Sequence, residues 1–166
     1  SDAYWAQGQA VLGFSPLGTG IDSMVVTAGL SAYYFRKTFE IPRTACILEV
    51  QLFIKHTGGI VCYVNGEQIY SNRMPPGYMK YVTKALGDSP DDGRVWQQAT
   101  FPPHTLYDGS NLLACELHES RDLTRTMRFD AMLVTTQTAA CADGGPAPRP
   151  ILHHKPPPAP PTIVGP

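Results

Sequence analysis

The chain has 166 residues, and its 14 acidic and 13 basic side chains give a formal net charge of −1 without runs of either sign. This balance argues against a nucleic-acid partner, because domains that bind nucleic acid carry clustered lysine and arginine. A membrane span is also not expected, since no apolar stretch approaches the ~18 residues that a transmembrane helix requires.

The composition divides the chain into two parts. Residues 1–141 have ordinary globular composition, which is enough for one domain with its own core. Nine of the 16 prolines lie between Pro146 and Pro166, in a stretch with few large apolar side chains. Such a stretch cannot form a core of its own. The sequence therefore predicts a domain over residues 1–141 and an extended proline-rich tail over residues 142–166.

The dominant period in the first part is two, and strong helical stripes are lacking. Short segments rich in valine, isoleucine, leucine and aromatic residues predict strands. In chain order they are 32–41, 46–55, 60–65, 68–71, 94–101, 111–119 and 127–137. Turn residues separate them, including Thr57-Gly58-Gly59, the hairpin pair Asn65-Gly66 and Asp108-Gly109-Ser110. The pattern indicates an all-β antiparallel sandwich, and the long connection over 72–93 favours a Greek-key or jelly-roll crossing.

Four cysteines, at positions 46, 62, 115 and 141, are far apart and contain no C-x-x-C pair, so zinc-ribbon and thioredoxin signatures are absent. Three disulfide pairings are possible. Cys62 and Cys115 each share a predicted strand face with aliphatic residues, whereas Cys46 and Cys141 flank strands at their ends. Strand parity therefore favours Cys62–Cys115 and Cys46–Cys141, which indicates an oxidising, extracellular setting; buried free thiols in a cytosolic protein are the alternative.

Five segments in the first part occur together in a recognisable order and spacing. They are Tyr34-Phe35-Arg36-Lys37-Thr38-Phe39, Val61-Cys62-Tyr63-Val64-Asn65-Gly66, Arg73-Met74-Pro75-Pro76-Gly77, Gly109-Ser110-Asn111-Leu112-Leu113-Ala114-Cys115-Glu116-Leu117-His118 and Phe129-Asp130. Over roughly residues 5–134, the chain resembles the galactose-binding-like jelly-roll modules that are commonly appended to extracellular phosphoesterases, glycosidases and surface proteins. The resemblance implies a jelly-roll β-sandwich with an accessory, usually non-catalytic role, and it implies no particular ligand.

The chain departs from that family in two places. His56-Thr57-Gly58-Gly59 stands where the family often has an acidic turn, which weakens any case for calcium because calcium requires oxygen ligands. We expect no cofactor. The segment over residues 2–14 resembles one that follows an earlier strand in the family, and that first strand is missing. A jelly roll without an edge strand leaves a vacancy that another segment can fill by strand addition.

The proline-rich tail is the candidate for that role. An extended polyproline conformation of 25 residues reaches about 75 Å, well beyond the size of one domain. The predicted anchors are its apolar residues, namely Ile151, Leu152, Thr162, Ile163 and Val164. The tail either folds back onto its own domain or docks on the next copy, and the second option would give a head-to-tail, heterologous contact and a filament. Our first interpretation is therefore a non-catalytic structural subunit of an extracellular assembly.

The tail also resembles the hydroxyproline-rich segments of wall glycoproteins, in which hydroxylated prolines carry glycans. The prolines that could carry them are Pro146, Pro148, Pro150, Pro156, Pro157, Pro158, Pro160 and Pro161. An unmodified polyproline spacer is an equally simple interpretation.

Catalysis has weak support in the sequence. Glu116 and His118 alternate onto one strand face, and Asp130 on the last strand could complete a cluster that binds a metal or moves protons. Structural hydrogen bonding explains such strand positions better, so we predict that the chain is not an enzyme. Tyr78 and Tyr81, in the long connection, are the aromatic residues best placed to stack on sugar rings. The alternative function is thus a carbohydrate-binding accessory module of a secreted enzyme or surface protein.

Overall fold

The computed structural model describes residues 10–14, 23–24, 30–120 and 126–138. These ranges contain nine strands and two 3-10 turns, the latter at Thr44–Cys46 and Pro103–Thr105. The strands are β1 (Leu12–Phe14), β2 (Ser23–Met24), β3 (Ala32–Ile41), β4 (Ile47–His56), β5 (Gly59–Val64), β6 (Glu67–Asn72), β7 (Gln97–Phe101), β8 (Gly109–His118) and β9 (Met127–Gln137). In this part of the chain no helix is long and apolar enough to cross a bilayer.

The strands form two sheets. The five-stranded sheet has the order β2-β1-β9-β4-β7, and the four-stranded sheet has the order β3-β8-β5-β6. All neighbouring strands are antiparallel except β1 and β2, which pair parallel over two residues. The predicted all-β antiparallel sandwich is confirmed.

Alternation along the strands places the core between the two sheets. Val50, Leu52 and Ile54 of β4 are fully buried, and the residues between them are less so. The stacked rings of Phe35 and Phe129, with centroids 4.1 Å apart, join the four-stranded sheet to the five-stranded one. Burial of aliphatic and aromatic side chains on this scale is the main stabilising term of the fold.

The predicted hairpin at Asn65-Gly66 is present between β5 and β6. Both residues have positive φ angles, 52° and 88°, as a tight two-residue turn requires. The Asn65 side chain also donates a 2.8 Å hydrogen bond to the carbonyl oxygen of Thr105, and its own carbonyl oxygen accepts from the amide of Leu112 at 3.0 Å. The turn is thereby fixed to the start of β8.

The Cys62–Cys115 disulfide is confirmed. The two residues lie directly opposite each other on β5 and β8, and both are buried. Strand parity predicted this pair because both side chains face the core. Cys46 is buried where β4 begins. Cys141 lies outside the described residues, so the Cys46–Cys141 pairing stays a prediction.

The connection between β6 and β7 packs on the outer face of the four-stranded sheet. Met74 and Ala85 of this connection are buried together with Val61 of β5. Gly59 makes the close approach possible, since a Cβ atom there would run into both Met74 and Ala85. Backbone hydrogen bonds from Ala85 to Glu119 (2.9 Å) and from Leu86 to Arg73 (2.8 Å) hold the connection in place. One end of this outer face is therefore covered by protein.

The predicted tail over 142–166, its apolar anchors and its glycan-carrying prolines lie outside the described residues. The docking of the tail and its modification stay predictions.

Candidate functional site

Strand register brings two side chains together on the outer face of the four-stranded sheet. Glu116 of β8 stands opposite Tyr34 of β3 on one side and opposite Val61 of β5 on the other. Because Cys115 and Leu117 face the core, the carboxylate between them points to the outer face. The Glu116 side chain is 14% exposed, so part of it reaches solvent.

A second tyrosine on the same face orients this carboxylate. Tyr63 lies two residues along β5 from Val61, and its hydroxyl donates a 2.8 Å hydrogen bond to Oε1 of Glu116. Diagonal neighbours on adjacent strands are within reach of such long side chains. Oε1 therefore has a fixed partner, and the carboxylate keeps further lone pairs for other donors.

The connection between β6 and β7 brings two more tyrosines to this place. The side chain of Tyr78 is 84% exposed, and Tyr81 is partly exposed. Burial is the main cause that raises the pKa values of Tyr34 and Tyr63; Tyr78 and Tyr81 add to the rise for Tyr34, and Tyr78 adds to the rise for Tyr63. We call the group formed by Tyr34, Tyr63, Tyr78, Tyr81 and Glu116 the tyrosine site.

His118 fixes the segment that carries Tyr78 and Tyr81. Its Nδ1 lies 2.7 Å from the carbonyl oxygen of Thr83, and because a carbonyl only accepts, Nδ1 carries the proton of this bond. Thr83 in turn closes a turn with Lys80 through two hydrogen bonds, of 2.8 Å between backbone atoms and 2.9 Å to the Thr83 hydroxyl. Tyr81 lies within that turn. His118 thus holds the aromatic segment against the sheet.

The protonation states in the tyrosine site suit hydrogen bonding. Burial by itself would raise the pKa of Glu116, but hydrogen bonds from His118 and Tyr63 together with the charge of His118 outweigh it and lower that pKa. The pKa values of Tyr34 and Tyr63 are raised, mainly by burial and further by Glu116. At neutral pH the carboxylate is therefore a charged acceptor, and the phenols are protonated donors.

The three residues predicted as catalytic or metal-binding candidates lie in two different parts of the fold. Glu116 and His118 are together, with Nε2 of His118 3.4 Å from Oε2 of Glu116, and the His118 side chain is completely buried. Asp130 instead lies on β9 in the five-stranded sheet, opposite Lys55. In the described part of the chain, no group of three or more His, Cys, Asp and Glu side chains is arranged to hold a metal ion.

Two members of the tyrosine site were not predicted as site residues from the sequence. Tyr63 follows the core residue Cys62, and Tyr34 precedes the core residue Phe35, so alternation alone places both on the outer face. That signal indicates the face and not the neighbours. The strand order β3-β8-β5, which brings the two tyrosines to Glu116 from opposite sides, is a tertiary feature.

Another aromatic residue, Trp96, directly precedes β7 of the five-stranded sheet and is differently placed. The Nζ atom of Lys55 stands 4.4 Å from the ring centroid of Trp96, in a cation–π contact. One ring face is therefore already occupied by a side chain of the domain. Tyr78, with the most exposed side chain among the large apolar and aromatic residues described, is the better platform for a ligand.

Comparison with known proteins finds similar solved structures but no matching family. No family model matches the chain, and no curated protein matches its sequence. Similar solved structures are α-L-rhamnosidases. The Streptomyces avermitilis enzyme, complexed with L-rhamnose, is 18% identical with a TM-score of 0.48, and the match covers 66% of this chain and 9% of that one.

Two further α-L-rhamnosidases have comparable values. The Dictyoglumus thermophilum enzyme is 20% identical with a TM-score of 0.45, over 64% of this chain and 11% of that one. The Aspergillus terreus enzyme is 18% identical with a TM-score of 0.45, over 75% and 14%. The matched region is a small part of each enzyme. Identities this low leave the ligand to be inferred from the chemistry of the tyrosine site.

Proposed function

We propose that this domain is a non-catalytic carbohydrate-binding accessory module of a secreted enzyme or surface protein. The observation that carries the proposal is the exposed ring of Tyr78, on a segment that His118 holds to the four-stranded sheet, together with the partly exposed, charged carboxylate of Glu116 on that sheet. A sugar ring presents an apolar face, which a tyrosine ring can cover, and a rim of hydroxyl donors, which a carboxylate can accept.

The hydrogen bonds that hold the segment carrying Tyr78 and Tyr81 support a role in binding. An exposed aromatic side chain on a loose segment would lose conformational freedom when a ligand binds, and that loss weakens affinity. Here the segment is already fixed by the His118–Thr83 bond and by the turn between Lys80 and Thr83. The turn that contains Tyr81 is therefore ordered before a ligand binds.

The chemistry of the site supports a non-catalytic role. Hydrolysis of a glycosidic bond usually requires two carboxyl groups on either side of that bond. The tyrosine site contains one, Glu116, and the histidine beside it is completely buried. A group that cannot touch a ligand cannot pass a proton to it, so we assign His118 the role of holding the platform.

The disulfide supports an extracellular location. The Cys62–Cys115 disulfide joins neighbouring strands within the core, and structural disulfides are formed and kept in oxidising compartments. The jelly-roll resemblance of the sequence, with its accessory modules of extracellular proteins, points the same way.

Head-to-tail assembly through the proline-rich tail is the second proposal. It rests on the composition of residues 142–166 and their apolar anchors, which lie outside the described residues. The two proposals are compatible, because the tyrosine site lies on the four-stranded sheet, whereas β9, the last strand in the described part of the chain, lies in the five-stranded sheet.

A glycan array tests the carbohydrate proposal. We expect the isolated domain to bind a defined subset of glycans, and a variant with Tyr78→Ala and Tyr81→Ala to lose that binding while keeping its fold by circular dichroism. Absence of binding across the array would contradict the proposal and leave the assembly hypothesis as the leading account.

A further inference from the structure

One side of β9 lacks a neighbouring strand in the described part of the chain. β4 pairs with β9 along one side, whereas β1 pairs with the other side only over Met127–Phe129. Over residues 131–137, which we call the β9 edge, the backbone groups on that side have no strand to pair with among the described residues. We infer that the β9 edge takes residues 151–155 of a neighbouring copy as an added strand. This inference rests on the proposed head-to-tail assembly and names its docking surface.

The burial of side chains shows that the core is open along the β9 edge. Leu133 packs against the core but is only partly buried, whereas Leu52, its partner on β4, is completely buried. On the outer face of the sheet, Met132 and Val134 are 47% and 38% exposed. An added strand would therefore cover apolar side chains on both faces, and burial of apolar surface is a main driving force of association.

The β9 edge also lacks the features that usually prevent a strand from pairing with another chain. Its sequence, Ala131-Met132-Leu133-Val134-Thr135-Thr136-Gln137, contains no charged residue, proline or glycine. Edge strands are commonly protected by charged side chains, as β3 is by Arg36, Lys37 and Glu40. An uncharged and partly apolar edge of this length is suited to strand addition.

Residues 151–155 match the β9 edge in length and in pattern. Their sequence is Ile-Leu-His-His-Lys, between Pro150 and Pro156, so each residue keeps the backbone amide that strand pairing requires. Successive side chains of a strand point to opposite faces, so Ile151 and Leu152 would cover the inner and the outer face of the edge respectively or in the reverse order. The other apolar run of the tail, at residues 162–164, is shorter.

The length of chain between β9 and this run favours a neighbouring copy. In an extended polyproline conformation, residues 139–150 span about 37 Å. A compact domain over residues 1–141 has a diameter of about 35–40 Å, so the run would lie about one domain away. β9 runs along its edge towards Gln137, and the tail therefore starts by leading away from that edge. Docking on the edge of its own domain would require a full reversal of the chain, whereas docking on a neighbour requires none.

Amide hydrogen exchange of the whole chain, measured by NMR at increasing protein concentration, tests the inference. Successive residues of a strand direct their amides to opposite sides, so every second amide over residues 131–137 belongs to the β9 edge. These amides should gain about tenfold or more in protection as the chain associates, because an added strand pairs with them. Analytical ultracentrifugation of the same samples measures the association.

Substitutions on each side of the contact have matched controls. The double variant Met132→Lys and Val134→Lys should weaken association about tenfold or more, and so should Leu152→Pro, which removes a pairing amide. Val95→Lys is the control for the edge, because Val95 is 61% exposed and lies next to β7, two strands away from β9 in the sheet. Ala159→Pro is the control for the tail. Both controls should associate like the wild type.

The outcomes separate this inference from the assembly proposal. Association without added protection over residues 131–137, or unchanged association in a natively folded lysine double variant, overturns the β9 edge as the docking surface while head-to-tail assembly stands. Protection that is independent of concentration overturns docking between copies; its loss in Leu152→Pro would assign the edge to the chain's own tail, and its persistence there to another segment such as residues 1–9. A chain that stays monomeric, with the β9 edge unprotected, overturns the assembly proposal and the inference together.

Discussion

The hydroxyl of Tyr63 on β5 donates a 2.8 Å hydrogen bond to Oε1 of Glu116 on β8. This bond connects two strands that are already joined on their opposite face by the Cys62–Cys115 disulfide. The same strand pair thus has a covalent, buried side and a polar side that faces the tyrosine site. A rigid sheet underneath is what a preorganised binding site requires.

Replacing His118 tests how the aromatic segment is held. His118→Ala should destabilise the domain by about 2–4 kcal/mol, because it opens a cavity and leaves the Thr83 carbonyl without its partner. Urea unfolding gives the free energy. His118→Asn, whose amide nitrogen can stand near the position of Nδ1, should recover part of the loss. If His118→Ala unfolds like the wild type and keeps its glycan affinity, the segment is not held by this bond.

The pairing of the four cysteines can be determined directly. Non-reducing peptide mapping should recover Cys62 linked to Cys115 and Cys46 linked to Cys141. Replacement of the first pair by alanine should lower the free energy of unfolding by about 2–4 kcal/mol, chiefly through greater freedom of the unfolded chain. Free thiols found by alkylation of the denatured protein would contradict both the pairing and the secreted assignment.

The pH dependence of the free energy of unfolding should show how much the Glu116 contacts contribute to stability. The pKa of Glu116 is lowered in the fold, so its contribution to stability is fully present above the ordinary pKa of 4.5. The contribution is lost as the pH falls through the lower, folded pKa. Unfolding free energies measured from about pH 6 to about pH 3 should therefore fall less steeply in Glu116→Gln than in the wild type. The slope for Tyr63→Phe, which removes one of the bonds to Glu116, should lie between those of the wild type and Glu116→Gln. Identical slopes in all three proteins would contradict the contribution of the Glu116 contacts to stability.

The tail hypothesis predicts a difference between two chain lengths. Residues 1–141 alone should remain a folded monomer, whereas the 166-residue chain should associate with concentration. Analytical ultracentrifugation measures both. Added tail peptide should bind the shortened chain, and more weakly when Ile163 and Val164 are changed to Asp, since apolar anchors would then carry charge. Equal association of both lengths would contradict the connector role.

Much of the fold could be predicted from alternation in the sequence. The predicted segments 32–41 and 127–137 coincide with β3 and β9, which at 10 and 11 residues are long enough for a strand pattern to show. The segment predicted over 94–101 begins later, at Gln97, since Asp91 accepts hydrogen bonds at the turn before it. The strands β1 and β2 were not predicted, because at three and two residues they are too short to show a period.

The site could be predicted only in part from the sequence, because several of its contacts join residues on different strands. Tyr78 and Tyr81 stood out because the long connection between strands lies at the surface. The contacts of Glu116 with His118 and Tyr63 depend on strand order and on the path of that connection across the sheet. A single sequence records which face a side chain occupies and leaves its neighbours on other strands undetermined.

Titration of one glycan selected on the array into the wild type, Tyr78→Ala and Val82→Ala tests the central claim most directly. Val82 is the matched control, because it lies on the same segment and is 65% exposed. The account predicts that Tyr78→Ala loses about tenfold or more in affinity, equivalent to about 1.4 kcal/mol, while Val82→Ala binds like the wild type. Equal affinity of Tyr78→Ala and the wild type, with both folded, would contradict binding at the tyrosine site.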